Sequence, residues 1–335
     1  WLISYFPNRY QAGWHCQSAG MIRAQEEAAA KKPYLRNRIS YFWGRQGVAL
    51  GLKLAELFPL SYLDRFASLM GLIGYFLGGK YRTIVDNNLR MAFGTSKTEK
   101  EYGDIAKTVY QNMAKNTFEI AKLFHAEPAL LKELVTVHGL QHLDTALSQG
   151  KGVVAVSAHL GNFSLIGPRL VMEGYPFSLV LRDTKDKMLA KTLRDLRSNV
   201  GIESIPVNPR RTCIAQSLAC LKRNGILFLQ VDQNASSQDL WVDFFGWKVP
   251  TFKGPVVFSM RTGAPLVPMF IIRDSAGHHQ LTISEPYTLA KTDNQEDDIL
   301  TNTTSLTKLI ESYIEEYPPQ WWWFHRRWKK ARRSN

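Results

Sequence analysis

"GVVAVSAHLGNFSLIG", residues 152–167, decides how the rest of the chain is read. Its first part, 152–157, is a short valine-rich run of the kind that forms a strand buried on both faces. The run delivers His159 into a Gly161-Asn162 turn, and an apolar segment follows. Gly permits a tight turn and Asn can cap the next helix. Open α/β sheets place chemistry in such loops, beyond the C-terminal ends of parallel strands. A catalytic histidine needs an orienting carboxylate, yet the residue one helical turn further on is Ser164. Ser164 is also not the nucleophile of a hydrolase elbow, because the spacing is G-x-x-S-x-x-G rather than G-x-S-x-G.

Outward from this stretch the texture alternates. Strand-like runs occur at 177–182, 225–231, 264–273 and 278–284, and helix-like segments at about 165–173, 185–200 and 210–223 separate the first of them. That βαβα order predicts an α/β fold with a mostly parallel central sheet flanked by helices. Residues 100–145 read as helical, with Ile105, Val109, Met113, Phe118 and Ile120 near a 3.6-residue period. There is no internal repeat and no low-complexity linker. The expected organisation is an N-terminal extension over 1–40, non-essential before Met21, and a single domain over 41–335.

The 335 residues carry a net charge of +13, with 45% hydrophobic and 21% charged residues. Excess Lys and Arg point to anionic lipid, nucleic acid, or acidic and phosphorylated partners. Nucleic-acid binding is disfavoured, since no zinc pattern, RNP-type motif or basic recognition helix is present. Cys213 and Cys220 lie about 10 Å apart along one helix-like segment, too far for a bridge. With Cys16 they read as small core residues of a reducing compartment. Segments 47–60 and 66–79 are apolar but too short to span a bilayer. They suit either an amphipathic hairpin lying in a membrane interface or two core helices. The C-terminal "QWWWFHRRWKKARR" puts indoles beside cations, a pattern fitting headgroups or stacked bases.

Three polar residues end three of the runs: His159, Arg182 and Asp232, the last followed by Gln233. Each alone is also compatible with an ordinary turn. Together they form a constellation that neither turn chemistry nor packing requires.

The ordered set "NNLRMAF" (87–93), "SAHLGNFSLIG" (157–167), "LVLR" (179–182), "GILFLQVDQNA" (225–235), "FFGWKVPTFKGPVVFSMRTGAPLVP" (244–268) and "WWWFHRRWK" (321–329) resembles the late acyltransferases of lipid A biosynthesis. That family also contains phosphatidylinositol mannoside acyltransferase, and the resemblance covers roughly residues 40–330. It implies a glycerolipid-acyltransferase-like fold with an N-terminal membrane-docking region. It also implies transfer of a fatty acyl chain from an acyl carrier protein or coenzyme A thioester to a lipid hydroxyl, with no metal or redox cofactor. The expected setting is the cytoplasmic face of a bacterial inner membrane, with attachment to its anionic surface. The family's histidine falls on His159 as general base, its arginine on Arg182, its Asp-Gln pair on Asp232 and Gln233, and its terminal arginine pair on Arg326 and Arg327. Lys253 joins Arg182 as a candidate for holding phosphate. The family's acid falls on Ser164, so a catalytically impaired homologue that still binds lipid or carrier is the alternative. Asp232 is the acid expected to compensate.

Overall fold

Both faces of one sheet organise the molecule. The computed structural model describes residues 57–123, 128–236 and 239–333, together with scattered positions between 42 and 53. Expectations about residues 1–40 therefore lie outside the described residues, and those about 47–60 in part. The description that follows concerns the compact unit Gly51–Asn335.

Three helices come first: α1 (Leu60–Leu77), α2 (Gly79–Phe93) and α3 (Glu99–Leu123). Helix α1 packs Leu63, Ala67, Gly71 and Tyr75 inward. A Cβ on Gly71 would sit 2.5 Å from the Gln111 Cα of α3, so the two helices touch at backbone distance. After α4 (Pro128–Leu134) come β1 (Val135–His138), α5 (Leu140–Leu147), β2 (Val153–Ser157), a 3-10 turn (Phe163–Leu165) and α6 (Ile166–Met172). The chain then alternates β3 (Phe177–Leu181), α7 (Lys187–Asn199), β4 (Ile202–Pro206), α8 (Arg210–Lys222) and β5 (Ile226–Gln230). A hairpin β6 (Leu240–Phe244) and β7 (Trp247–Thr251) leads to α9 (Gly254–Thr262), β8 (Leu266–Arg273), β9 (His279–Ile283), α10 (Gln295–Glu316) and a short β10 (Arg332–Arg333).

The main sheet has seven strands in the order β1-β9-β8-β2-β5-β3-β4. Every pairing is parallel except β8 with β9. The expected mostly parallel α/β sheet is therefore present. Central β2 is buried along its whole length. Its Val154 and Val156 enter one apolar cluster and its Val153 and Ala155 the other. This two-sided burial explains why its sequence does not alternate.

Two expectations are corrected. Residues 100–145 are not helical throughout, because Val135–His138 pairs with β9 as an edge strand; β-branched Val135 and Val137 favour that state. The C-terminal tryptophans do not form an interfacial belt either. Trp321, Trp323 and Trp328 are buried in the core cluster with Phe244 and Phe270. A second sheet, β10-β7-β6, and α2 supply the apolar surface they fill. Cys213 and Cys220 are free thiols.

Candidate active site

Strands β2 and β5 are adjacent and parallel, so the residues following them emerge at the same edge. His159 follows β2 and Asp232 follows β5, and the two side chains meet. His159 Nδ1 lies 2.8 Å from Asp232 Oδ1, and the His159 backbone N–H donates to Asp232 Oδ2 at 3.0 Å. Trp321 Nε1 donates to the same Oδ2 at 2.7 Å. Asp232 is buried; that alone would raise its pKa, but the facing imidazole and these donors outweigh it and hold the group at about 2. An ionised carboxylate only accepts, so the imidazole proton resides on Nδ1 and Nε2 carries the lone pair. Gln233 Nε2 stands 3.1 Å from that atom and donates to it. Phe163 packs edge-on against the ring at 4.8 Å between centroids.

The turn itself is tied down from two sides. Trp322 N–H donates to His159 O, and Gly161 N–H donates to Gln320 O, each at 2.9 Å. From α3, Asn116 donates to Gly161 O at 2.8 Å. Asn162, buried, donates to Glu119 Oε2 at 2.8 Å. An open cleft beside His159 is lined by Val109 and Met113 of α3 and by Trp322 and Phe324.

The remaining candidates divide. Ser164 lies in the 3-10 turn and makes no hydrogen bond to His159, whose Nδ1 is already taken by Asp232. Arg182 sits one residue past β3, exposed, on the same sheet edge but one strand beyond Asp232, and no hydrogen bond joins it to the His159–Asp232 pair. Lys253 and Arg326 are also exposed, Lys253 at the N-terminus of α9. Arg327, read from the sequence as substrate-binding, points inward. It is 1% exposed and donates to Gln233 O (3.0 Å), Pro250 O (2.6 Å) and Thr251 Oγ1 (2.6 Å). Burial lowers its pKa to about 10, with Asp232 acting in the opposite direction, so the guanidinium stays charged at neutral pH. It is a clamp on the backbone that carries Gln233.

Sequence reasoning overlooked several contributors. Asn88, within "NNLRMAF", is buried and donates to Trp323 O and His325 O, both at 2.7 Å. His325 Nε2 accepts the Asn234 N–H at 2.8 Å, and burial lowers the His325 pKa. Their only signal was membership of recurring motifs; nothing local assigns them a partner.

A match to the model of the bacterial lipid A biosynthesis acyltransferases covers residues 31–330. The chain belongs to this family. Within it, phosphatidylinositol mannoside acyltransferase from Mycobacterium tuberculosis is 29% identical over 160 residues, 48% of this chain and 50% of that protein. The chain thus aligns with half the length of that relative. The namesake from Mycolicibacterium smegmatis is 26% identical, over 65% of this chain and 69% of its own. A lipid A biosynthesis acyltransferase from Haemophilus influenzae is 22% identical over 83% of this chain and 85% of its own.

The acid pair at the centre of this acyltransferase-family fold sets an acid limit to its stability. Asp232 and Glu119 are both held at about 2, well below the usual 3.8 and 4.5. Groups depressed in this way stabilise the fold above their unfolded values and lose that contribution as pH falls towards 2. Urea unfolding is expected to show stability falling between about pH 4.5 and 2, by about 2–3 kcal/mol for each group. In Asp232→Asn the slope within that window should be shallower; an unchanged slope would contradict the assignment.

Proposed function

We propose that the protein transfers a fatty acyl chain from a thioester, on an acyl carrier protein or coenzyme A, to a hydroxyl of a lipid A precursor or related glycolipid. The observation that carries this reading is the His159–Asp232 contact through Nδ1, which turns Nε2 away from the acid and towards Gln233. In the proposed step the acceptor hydroxyl displaces Gln233 from Nε2. His159 takes the hydroxyl proton as the oxygen bonds to the thioester carbon. The C–S bond then breaks, and the imidazolium returns its proton to the departing thiolate. Asp232 offsets the imidazolium charge throughout. Exposed Arg182, Lys253 and Arg326 suit phosphate groups.

Family membership and the names of the relatives support the lipid acceptor. The impaired-homologue alternative rests on Ser164, and its motive weakens where Asp232 already meets Nδ1. The test is transfer of labelled palmitate, presented on coenzyme A or on acyl carrier protein, to extracted bacterial glycolipid, followed by mass spectrometry. Acylated glycolipid from wild type and none from His159→Ala is expected. No product with either donor would overturn the proposal.

We further propose peripheral attachment to an anionic inner-membrane surface through α1. Among the described residues no helix is long and apolar enough to cross a membrane. Helix α1 nevertheless exposes Tyr62, Phe66, Leu69, Met70, Ile73, Phe76 and Leu77, with Phe76 and Leu77 at 67% and 79%. At about 1 kcal/mol for each half-buried side chain, their transfer favours the bilayer by roughly 5–7 kcal/mol. Exposed Arg65 and Lys80 flank this face. Replacing Phe66, Leu69, Ile73 and Phe76 by Ser should lower flotation with anionic vesicles at least tenfold. Unchanged flotation would remove α1 from the docking surface.

A further inference from the structure

Behind the catalytic turn lies a buried charged cluster that neither packing nor the proposed proton transfer calls for. Glu119 of α3 is 5% exposed. Both its oxygens face the Arg273 guanidinium at the end of β8, with Nη2–Oε2 at 2.7 Å. His279 Nε2 of β9 lies 3.0 Å from Oε2. The same Arg273 Nη2 donates to Asn116 Oδ1 at 2.6 Å, one turn earlier on α3. Both α3 residues then reach back to the turn, Asn116 to Gly161 O and Glu119 to the Asn162 amide.

Ion pairs of this kind are costly to desolvate and are weak contributors to net stability. What this one does provide is a fixed acceptor for Asn162, three residues after His159. A carboxylate held by a two-pronged guanidinium and an imidazole has almost no freedom to move. It therefore fixes where the turn ends, as Asp232 fixes where it begins.

We propose that Glu119 is a positioning residue: through Asn162, and with Asn116 alongside, it holds the 159–162 turn so that His159 Nδ1 stays on Asp232. This rests on the reading of His159 as the general base. The cluster is thus a second support of the site, delivered from α3, the helix against which α1 packs.

The informative variant is Asn162→Ala, because it cuts the link and leaves Glu119 paired with Arg273 and His279. With palmitoyl-coenzyme A and glycolipid extract, kcat is expected to fall about 10–50-fold. KM for the thioester should stay within twofold and the melting midpoint within a few degrees. The downfield Nδ1 proton resonance of His159, assigned by its loss in His159→Ala, should broaden. Glu119→Gln should lower kcat at least as much, and the double variant no further than Glu119→Gln alone, since coupled residues are not additive. A kcat for Asn162→Ala within threefold of wild type, or an unchanged Nδ1 resonance, would overturn the proposal. Should Glu119→Gln fail to fold, Asn162→Ala and the resonance decide alone. If His159→Ala retained activity, it would be the base assignment that failed; if only Asn162→Ala did, the positioning role alone would be lost.

Discussion

Asp232→Asn is expected to lower kcat for acyl transfer by about 10²–10⁴-fold, and His159→Ala to abolish it. The reason lies in the donors that converge on the carboxylate. Asp232 Oδ2 accepts from both the His159 backbone N–H and Trp321 Nε1, so in the asparagine variant the amide oxygen must take that place. The amide NH₂ is then directed at Nδ1. It can be accommodated only if Nδ1 gives up its proton and Nε2 carries it. A base whose lone pair points at its support rather than at the substrate is inactive, and the imidazolium would also lose its counter-charge. Replacement of the orienting carboxylate in the serine protease triad costs about 10⁴-fold for these two reasons. Ser164→Ala, by contrast, should change kcat by less than about threefold. Purified variants compared in the palmitate transfer assay give the measurement. A large loss in Ser164→Ala with little change in Asp232→Asn would reverse the assignment.

Gly161→Ala should be nearly as damaging, by a different route. Gly161 has φ +56°, and a Cβ there would lie 2.1 Å from the Ile271 carbonyl oxygen of β8. The left-handed conformation alone costs an alanine about 1–2 kcal/mol. The overlap with backbone cannot be relieved by a rotamer change, so the turn must lift off β8. Lifting it breaks the contacts to Gln320 and Asn116 and draws His159 away from Asp232. An activity loss exceeding about 10²-fold and a stability loss of about 3 kcal/mol or more are expected, read by the transfer assay and by denaturant unfolding. Gly103→Ala, in the second turn of α3 with open space around it, is the control. There, helix propensity predicts a gain of about 0.5–1 kcal/mol. Equal effects at the two positions would refute the steric argument.

The strands most plainly readable from sequence are the central ones, although the partly exposed β3 and β9 were also located. β2, β5 and β8 leave continuous apolar runs, and their observed limits fall within a residue or two of the runs. β4 was missed because it is an edge strand: Glu203 and Ser204 in "IESIP" give it the look of a loop. His159 and Asp232 were legible because strand ends can be located even when the strand order is unknown. Arg327 was not. Its acceptors, Gln233 O and Pro250 O, are backbone groups 94 and 77 residues away, and nothing near an arginine in sequence records such partners. The tryptophans misled for a related reason: an indole beside a cation reads the same whether it faces headgroups or a protein core. Glu119 resembles any solvated helix acid until Arg273 and His279, more than 150 residues later, fold against it.

Trp321 contributes to the site from close to the C-terminal end of the described chain, and its indole is one of the donors keeping Asp232 ionised. The residues that bracket it, Gln320 and Trp322, hold the histidine turn through their backbones. Helix α1 and the residues that close the His159 site are thus about 245 residues apart in the chain. A chain cut before residue 320 would keep α1 but lose the Trp321 donor to Asp232 and both backbone ties on the histidine turn, so on the proposed reading it would dock without transferring acyl groups.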